Sequence, residues 1–389
     1  MQILKVDDNE GAKDFLKVPL QIYKGDVNWI RPLDKDINDV FDPKKNKAFR
    51  FGKVTRWILK DADEKLIGRI AAFINSKYTN KGDDVKVGGV GFFECINKQE
   101  AADLLLDNAR HWLIENGMSA MDGPINFGER DRWWGLVTMG YYPPLYCMNY
   151  NLPYYKDLFE NYGFKPFFHQ ICLATHPKEP FPKKLVDRHN EVFMNKDFKS
   201  EYMKISMLEK YAEDFSIVYN KAWAGHGGLK QLSKDQVILM FRKMKPVMDE
   251  KIIWFAYYKN DPVAIFVNLP DLNQWFKHLN GKFDLVAKLK FLFLKTFTKN
   301  KKFTGLVFGV VPEWQGKGVD SFIIGESAKW IKSEKSPYTE YEMQWIGDFN
   351  PKMINIAEGL GEVHRSRNLT TYRYLFDRTK EFKRHPMLG

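Results

Sequence analysis

Hydrophobic and polar positions along this chain spell out one series of elements twice. In the first half, apolar residues from Val54 to Leu59 and from Leu66 to Phe73 flank the polar run Asp61-Ala62-Asp63-Glu64, which predicts a hairpin. A strand from Val85 to Cys95 follows. Ala102, Leu105, Ala109, Trp112 and Leu113 then recur at helical spacing up to Gly117, with Asn97 and Glu100 placed as a cap. A short strand near Met118 to Asp122 and a helix from Leu152 to Tyr162, stopped by Gly163-Phe164, close the series.

The second half opens with a helix carrying Tyr211, Phe215, Val218 and Ala222. A second helix, capped by Ser233 with Gln236, carries Val237, Phe241 and Met244. Ile252 to Tyr258 and Val263 to Asn268 predict another hairpin around Lys259-Asn260-Asp261-Pro262. A strand from Phe303 to Val311, a helix from Gln315 to Lys332, a strand from Tyr341 to Ile346 and a helix ending at Gly361 complete it. Hairpin, strand, helix, strand, helix thus occurs twice, which suggests duplication. Pro177-Lys178-Glu179-Pro180-Phe181-Pro182 reads as a linker. The expected organisation is a lobe over 1–176, a linker over 177–199, a second lobe over 200–380 and a tail over 381–389.

Composition agrees with two packed lobes, since 389 residues exceed what one core serves and 44% are hydrophobic. The net charge of +11 suits an anionic ligand, a nucleic acid or a membrane surface, and its sign alone does not choose. Cys95, Cys147 and Cys172 lie far apart and fit a reducing compartment. The first residues lack the basic flank and apolar core of a signal peptide, and no apolar run approaches the roughly twenty residues that span a bilayer, so a cytoplasmic location is expected. Eight scattered histidines without metal-ligand spacing predict no metal.

The chemistry concentrates at Val310-Val311-Pro312-Glu313-Trp314-Gln315-Gly316-Lys317-Gly318-Val319-Asp320, where a strand runs through a glycine-punctuated turn into a helix. Glycines there let successive backbone N–H groups turn inward at the positive end of a helix, which makes an anion cradle. Gln315 to Gly318 resembles the Gln-x-x-Gly pyrophosphate signature of the GNAT N-acetyltransferase superfamily, with Asp320 where the family has Gly or Ala. Asn350 to Gly361 is similar to the last GNAT helix. By its own residues, that segment has an N-cap Asn, Pro at the first turn, an apolar stripe and a terminal Gly.

The resemblance implies an α/β (α+β) fold of two GNAT-like lobes, each a twisted mixed β-sheet flanked by helices. The first lobe also looks GNAT-like at Tyr155 to Phe164 but has no glycine turn, so only the second is expected to bind acetyl-CoA or another acyl-CoA. In the family, the strand before the turn is bulged and frees N–H groups for pantetheine and the thioester oxygen. Carried over, this implicates Phe308, Gly309, Val310 and Val311, with Val310 the better donor because Pro312 has no N–H. Gln315, Gly316, Lys317, Gly318, Val319, Asp320 and Asn350 complete the expected cofactor set. The tyrosine that many members use to protonate the thiolate is replaced here by Ala357. Glu342, Asp348 and His226 are the candidate bases for a small-molecule or peptide amine acceptor. The alternatives are a non-catalytic CoA-sensing module and a tRNA-dependent aminoacyl transferase.

Two insertions distinguish the lobes. Trp133, Trp134, Tyr141, Tyr142, Tyr146 and Tyr150, interleaved with charges, would either line an acceptor pocket or pack the boundary between lobes. From Lys277 to Lys302 stand eight lysines against one acid, Asp284, with Trp275, Phe276, Phe283, Phe291, Phe293 and Phe297 among or just before them. That stretch reads as a contact for an anionic surface or, more plainly, as a helix with a buried Phe/Leu face and a solvated Lys face. No RNA-binding motif accompanies it, and nucleic acid is not expected as a partner.

Overall fold

The repeated pattern folds as two copies of one layered unit in the computed structural model, which describes residues 1–223 and 231–388. In the first copy, Gly52–Lys60 and Leu66–Asn75 form the hairpin, Val87–Cys95 joins antiparallel, and Ala120–Gly123 lies parallel to it. In the second, Ile253–Tyr258, Asp261–Pro270 and Lys302–Val310 are antiparallel, and Glu340–Met343 is parallel. Each parallel pair is joined through a helix, Gln99–Glu115 in one copy and Val319–Ile331 in the other. The Ser233–Gln236 capping box forms as expected. Lys98, not Asn97, is the N-cap of the first-lobe helix, and it makes no side-chain cap bond.

The copies exchange their last strands. Lys165–Thr175, from the end of the first half, pairs with Glu340–Met343 and Ile346–Gly347 of the second. His364–Leu375, from the end of the second, pairs with Ala120–Gly123 of the first. The two exchanged strands also pair with each other, so among the described residues one sheet of 14 strands runs through both lobes in place of two separate ones.

Charge holds the exchange in place. Arg373 in the last strand reaches the first lobe, where its Nε and Nη2 donate to Asp122 at 2.7 and 2.9 Å. Arg367 in the same strand donates through Nε to Glu342 of the second lobe at 2.7 Å. All four residues are buried, so removing any one of them strands a charge in the interior.

The segment expected as a linker is structured. Lys183–Met194 is a helix packed on Val319–Ile331, with His189 Nε2 2.8 Å from Glu326 Oε1, and Phe198–Tyr202 is the edge strand beside Ile253–Tyr258. Two helices unread in the sequence, Asn9–Ile22 and Asp34–Phe41, cover the first lobe. All three cysteines are buried and unpaired. Among the described residues no helix is long and apolar enough to cross a membrane, and no cluster suited to a metal ion is present.

Candidate active site

Lys302–Val310 has an antiparallel neighbour along most of its length, but its parallel neighbour follows it only from Lys302 to Gly305. Beyond Gly305 the two parallel strands separate. Leu306 is the extra residue of a bulge, since Gly305 opposes Asn268 and Val307 opposes Val267. Val311 N–H donates to Val263 O at 2.9 Å. Because N–H groups alternate sides along a strand, those of Val310 and Phe308 point the other way, into the gap between strands. Gln315 Nε2 donates to Val310 O at 3.0 Å and ties the turn to the same strand end. Gly309 lies under Trp223, where a Cβ would come within 2.2 Å of the ring.

The turn then uses glycine twice for its backbone. Gly316 and Gly318 have φ of 74° and 82°, in the left-handed region. A Cβ on Gly316 would meet nothing within 4 Å, so the turn faces open space there. Gly318 is the N-cap of Val319–Ile331, and no side chain caps that helix. The N–H groups of Val319, Asp320 and Ser321 therefore have no preceding helical carbonyl, and the turn presents donors at a positive helix end. Asp320 stands in this first turn with Oδ1 buried and without a hydrogen-bond partner.

The first lobe shows the same corner closed. Ile96 N–H donates to Ile67 O at 3.0 Å, as Val311 does to Val263, which makes Cys95 the counterpart of Val310. Cys95 N–H donates to Tyr155 Oη at 3.1 Å, and Cys95 O accepts from Tyr154 Oη at 2.7 Å. Tyr155 and Tyr23 both donate to Glu94, at 2.8 and 2.6 Å. Three residues, 96–98, connect strand to helix here, against eight, 311–318, in the second lobe. Tyr154 and Tyr155 are the cap and first residue of their helix; the same two places in the second lobe hold Asn350 and Pro351.

A cleft of about 890 Å³ opens between the lobes. Val27, Trp29 and Tyr142 come from the first lobe, and Asp271, His278, Lys302 and Glu342 from the second. Its floor is polar and its rim carries apolar side chains, among them the exposed Val27.

No protein-family model matches the chain. Over 369 residues it is 22% identical to the bacterial ceramide synthase of Caulobacter vibrioides, covering 94% of this chain and 95% of that one. It is 24% identical over 363 residues to Protein YghO of Escherichia coli, covering 90% and 89%. Among solved structures it is similar to a tandem GNAT protein from the clavulanic acid biosynthesis pathway, with a TM-score of 0.54 and 9% identity over 97% of this chain and 99% of that one. A GCN5-related glucosamine N-acetyltransferase region of a fungal multi-domain GH3 β-N-acetylglucosaminidase gives 0.53 and 13% identity, over 96% of this chain and 38% of that one. The chain has the tandem GNAT fold.

Within that GNAT frame the expected base candidates occupy different settings. Glu342 Oε1 accepts from Ser366 Oγ at 2.8 Å and from Arg367 Nε at 2.7 Å, and Oε2 accepts from Lys302 Nζ. Burial alone would raise its pKa, but the charges of Arg367 and Lys302 and their hydrogen bonds bring it below the ordinary value. A carboxylate so saturated is a poor base and a good anchor. Asp348 accepts from His169 N–H at 3.1 Å and from Arg384 Nη2 at 2.6 Å, latching an exchanged strand to the C-terminal segment. His226 lies outside the described residues. Ala357 is buried and offers no proton. Asn350 caps its helix, accepting from Met353 N–H at 3.3 Å. Of the expected aromatic insertion, Trp133 and Trp134 join the first-lobe core, while Tyr142 reaches the cleft.

Asp271 escaped the sequence reading. It follows Asp261–Pro270 directly, and its N–H donates to Lys302 O at 2.9 Å. Burial pushes its carboxyl up to about 6, against the pull of Lys302. The available signal was its place between a strand end and a loop, where functional side chains concentrate.

Proposed function

We propose that this protein is an N-acyltransferase, taking an acyl group from acyl-CoA in the second-lobe gap and passing it to an amine that enters the interlobe cleft. The observation that carries the reading is the outward Val310 N–H beside an uncapped, glycine-lined helix start, at a corner that tyrosines fill in the other lobe. In this reading the turn from Gly316 to Asp320 receives the diphosphate. Val310 N–H, nearest the turn, pairs with the pantetheine arm, and Phe308 N–H, further down the gap, bonds the thioester oxygen as negative charge gathers on it.

Asp271, in the cleft floor, is ionised at neutral pH with its carboxyl near 6 and holds the ammonium head of the acceptor, whose proton passes to solvent before attack. The amine nitrogen then bonds to the acyl carbon, the C–S bond breaks, and the thiolate takes a proton from solvent. With a thiol reference pKa of about 8.5, that departure needs little help, which suits Ala357 at the place of the usual acid.

For the acceptor we favour a long-chain amine. The relative named bacterial ceramide synthase matches nearly end to end, and the cleft joins a polar floor to an apolar rim. The test is thiol release from short- and long-chain acyl-CoA with a panel of amines. Release that depends on a long-chain amine supports the reading; binding of acyl-CoA with no release across the panel supports instead a CoA-sensing module, the reading favoured by Ala357 and by Asp320 in the cradle.

A further inference from the structure

We propose that the helix Leu285–Phe297 is an interfacial anchor that lays the protein on an anionic phospholipid bilayer beside the cleft. The helix begins at Asp284, whose Oδ1 accepts from Ala287 N–H at 2.9 Å. Ala287 and Phe291 are buried and Leu294 partly so, packed with Leu272, Trp275, Phe276 and Leu279. The rest of its apolar side chains face outward. Leu285, Val286, Leu289, Leu292, Phe293 and Phe297 are each between 53% and 74% exposed.

At about 100° per residue these six span an arc of about 140°, nearly opposite the buried stripe. Lys288 and Lys295 border that arc on one side and Lys290 on the other. Lys277, Lys282, Lys299 and Lys301 stand close in sequence, and Asp284 is the one acid from Lys277 to Lys302. Single exposed leucines are ordinary; six on one face of one helix form a continuous patch.

The pattern of charge selects the occupant. An apolar face bordered by lysines on both sides sinks into the acyl boundary while the ammonium groups meet lipid phosphates. A second copy would set lysine borders against lysine borders. Nucleic acid would engage the lysines and leave four aliphatic side chains without a role. With 13 residues the helix is too short to span, against the roughly twenty required, and so lies in the interface plane.

Lys290 Nζ donates to His278 O at 2.7 Å, and Lys277 and His278 line the cleft. The anchor is therefore fastened to the rim through which the acceptor would enter. Docking rests on the helix alone; delivery of a membrane-held amine to the cleft rests on the acceptor reading above.

The test is co-sedimentation of the whole protein with phosphatidylcholine vesicles, with and without phosphatidylserine, alongside acyl-CoA titration of the same samples. Strong binding only to the phosphatidylserine vesicles is expected. It should fall at least tenfold in the double variant Leu289→Glu, Phe293→Glu, and about fivefold for each of Lys282→Gln and Lys288→Gln. These side chains are exposed, so melting temperature and acyl-CoA affinity should stay unchanged. Absence of binding to anionic vesicles, equal binding by the glutamate variant, or a dimer that the glutamate variant dissociates would overturn the proposal. Vesicle binding without acyl-CoA binding would leave the anchor standing and defeat the acyltransferase reading.

Discussion

Two corners of this molecule share a backbone and differ in what fills them. In the first lobe the N–H of Cys95 ends on a tyrosine hydroxyl and its carbonyl on another. In the second, Val310 holds the equivalent place, its helix starts with Asn350-Pro351, and a longer turn brings two glycines to the helix end. A strand edge that would pair with a ligand becomes ordinary core once two phenols satisfy it. One corner of a repeated fold can thus be closed without a change of topology, by side chains that complete its backbone hydrogen bonds.

The strongest way to break the comparison is to make the second corner like the first. Asn350→Tyr with Pro351→Tyr should lower kcat/KM for acyl-CoA by about a thousandfold or more, the scale of losing one oxyanion donor together with room for the ligand. Thiol release measures it, and circular dichroism checks the fold. Val310→Pro removes the outward N–H without touching the ladder bond of Val311, and should weaken acyl-CoA binding about tenfold, the scale of one hydrogen bond.

On stability, the largest effect concerns the anchoring of the exchanged strand. Glu342→Ala leaves Arg367 and Lys302 without their shared carboxylate and should lose about 3–5 kcal/mol in denaturant unfolding. If Glu342 were the base, Glu342→Gln would abolish turnover while keeping stability; the ion-pair cluster predicts instead that the loss is one of folding.

Asp271→Asn should raise KM for the amine about tenfold with kcat little changed, read from thiol release against amine concentration. In the wild type kcat/KM for the amine should rise as pH passes about 6, and the variant should lack that rise. Stability gives an independent check. The folded carboxyl lies above the ordinary 3.8, so its stabilising contribution is full below that value and is lost as pH climbs to about 6. The variant should lack this decline. Smallest on activity is Tyr155→Phe in the closed corner, expected to cost about 1–3 kcal/mol of stability through the unpaired Cys95 N–H and Glu94, with acyl-CoA turnover unchanged.

Much of this was legible along the chain because local signals agreed. Both hairpins, the strand before the glycine turn and the helix after it follow from alternation, spacing and caps, and the structure places them within a few residues. The exchange was not legible. His364–Leu375 carries three arginines, and nothing in its own pattern shows that two of them, Arg367 and Arg373, meet Glu342 and Asp122. Asp271 was missed for a related reason, since its raised pKa comes from burial that only the fold supplies. The lysine-rich helix meets the plainer expectation only in part, with Phe291 buried and Leu294 partly so. Its apolar residues encircle most of the axis, so periodicity could not say which would be covered, and the larger part remains uncovered.

The central claim is that the open corner beside Val310 binds acyl-CoA and the closed corner beside Cys95 does not. Calorimetric titration of acyl-CoA into the wild type and the two corner variants tests it most directly. One molecule bound per chain, lost with Asn350→Tyr and Pro351→Tyr and kept with Tyr155→Phe, is the result the account predicts. Titrations without heat at millimolar ligand, or binding that survives the tyrosine pair, would contradict it.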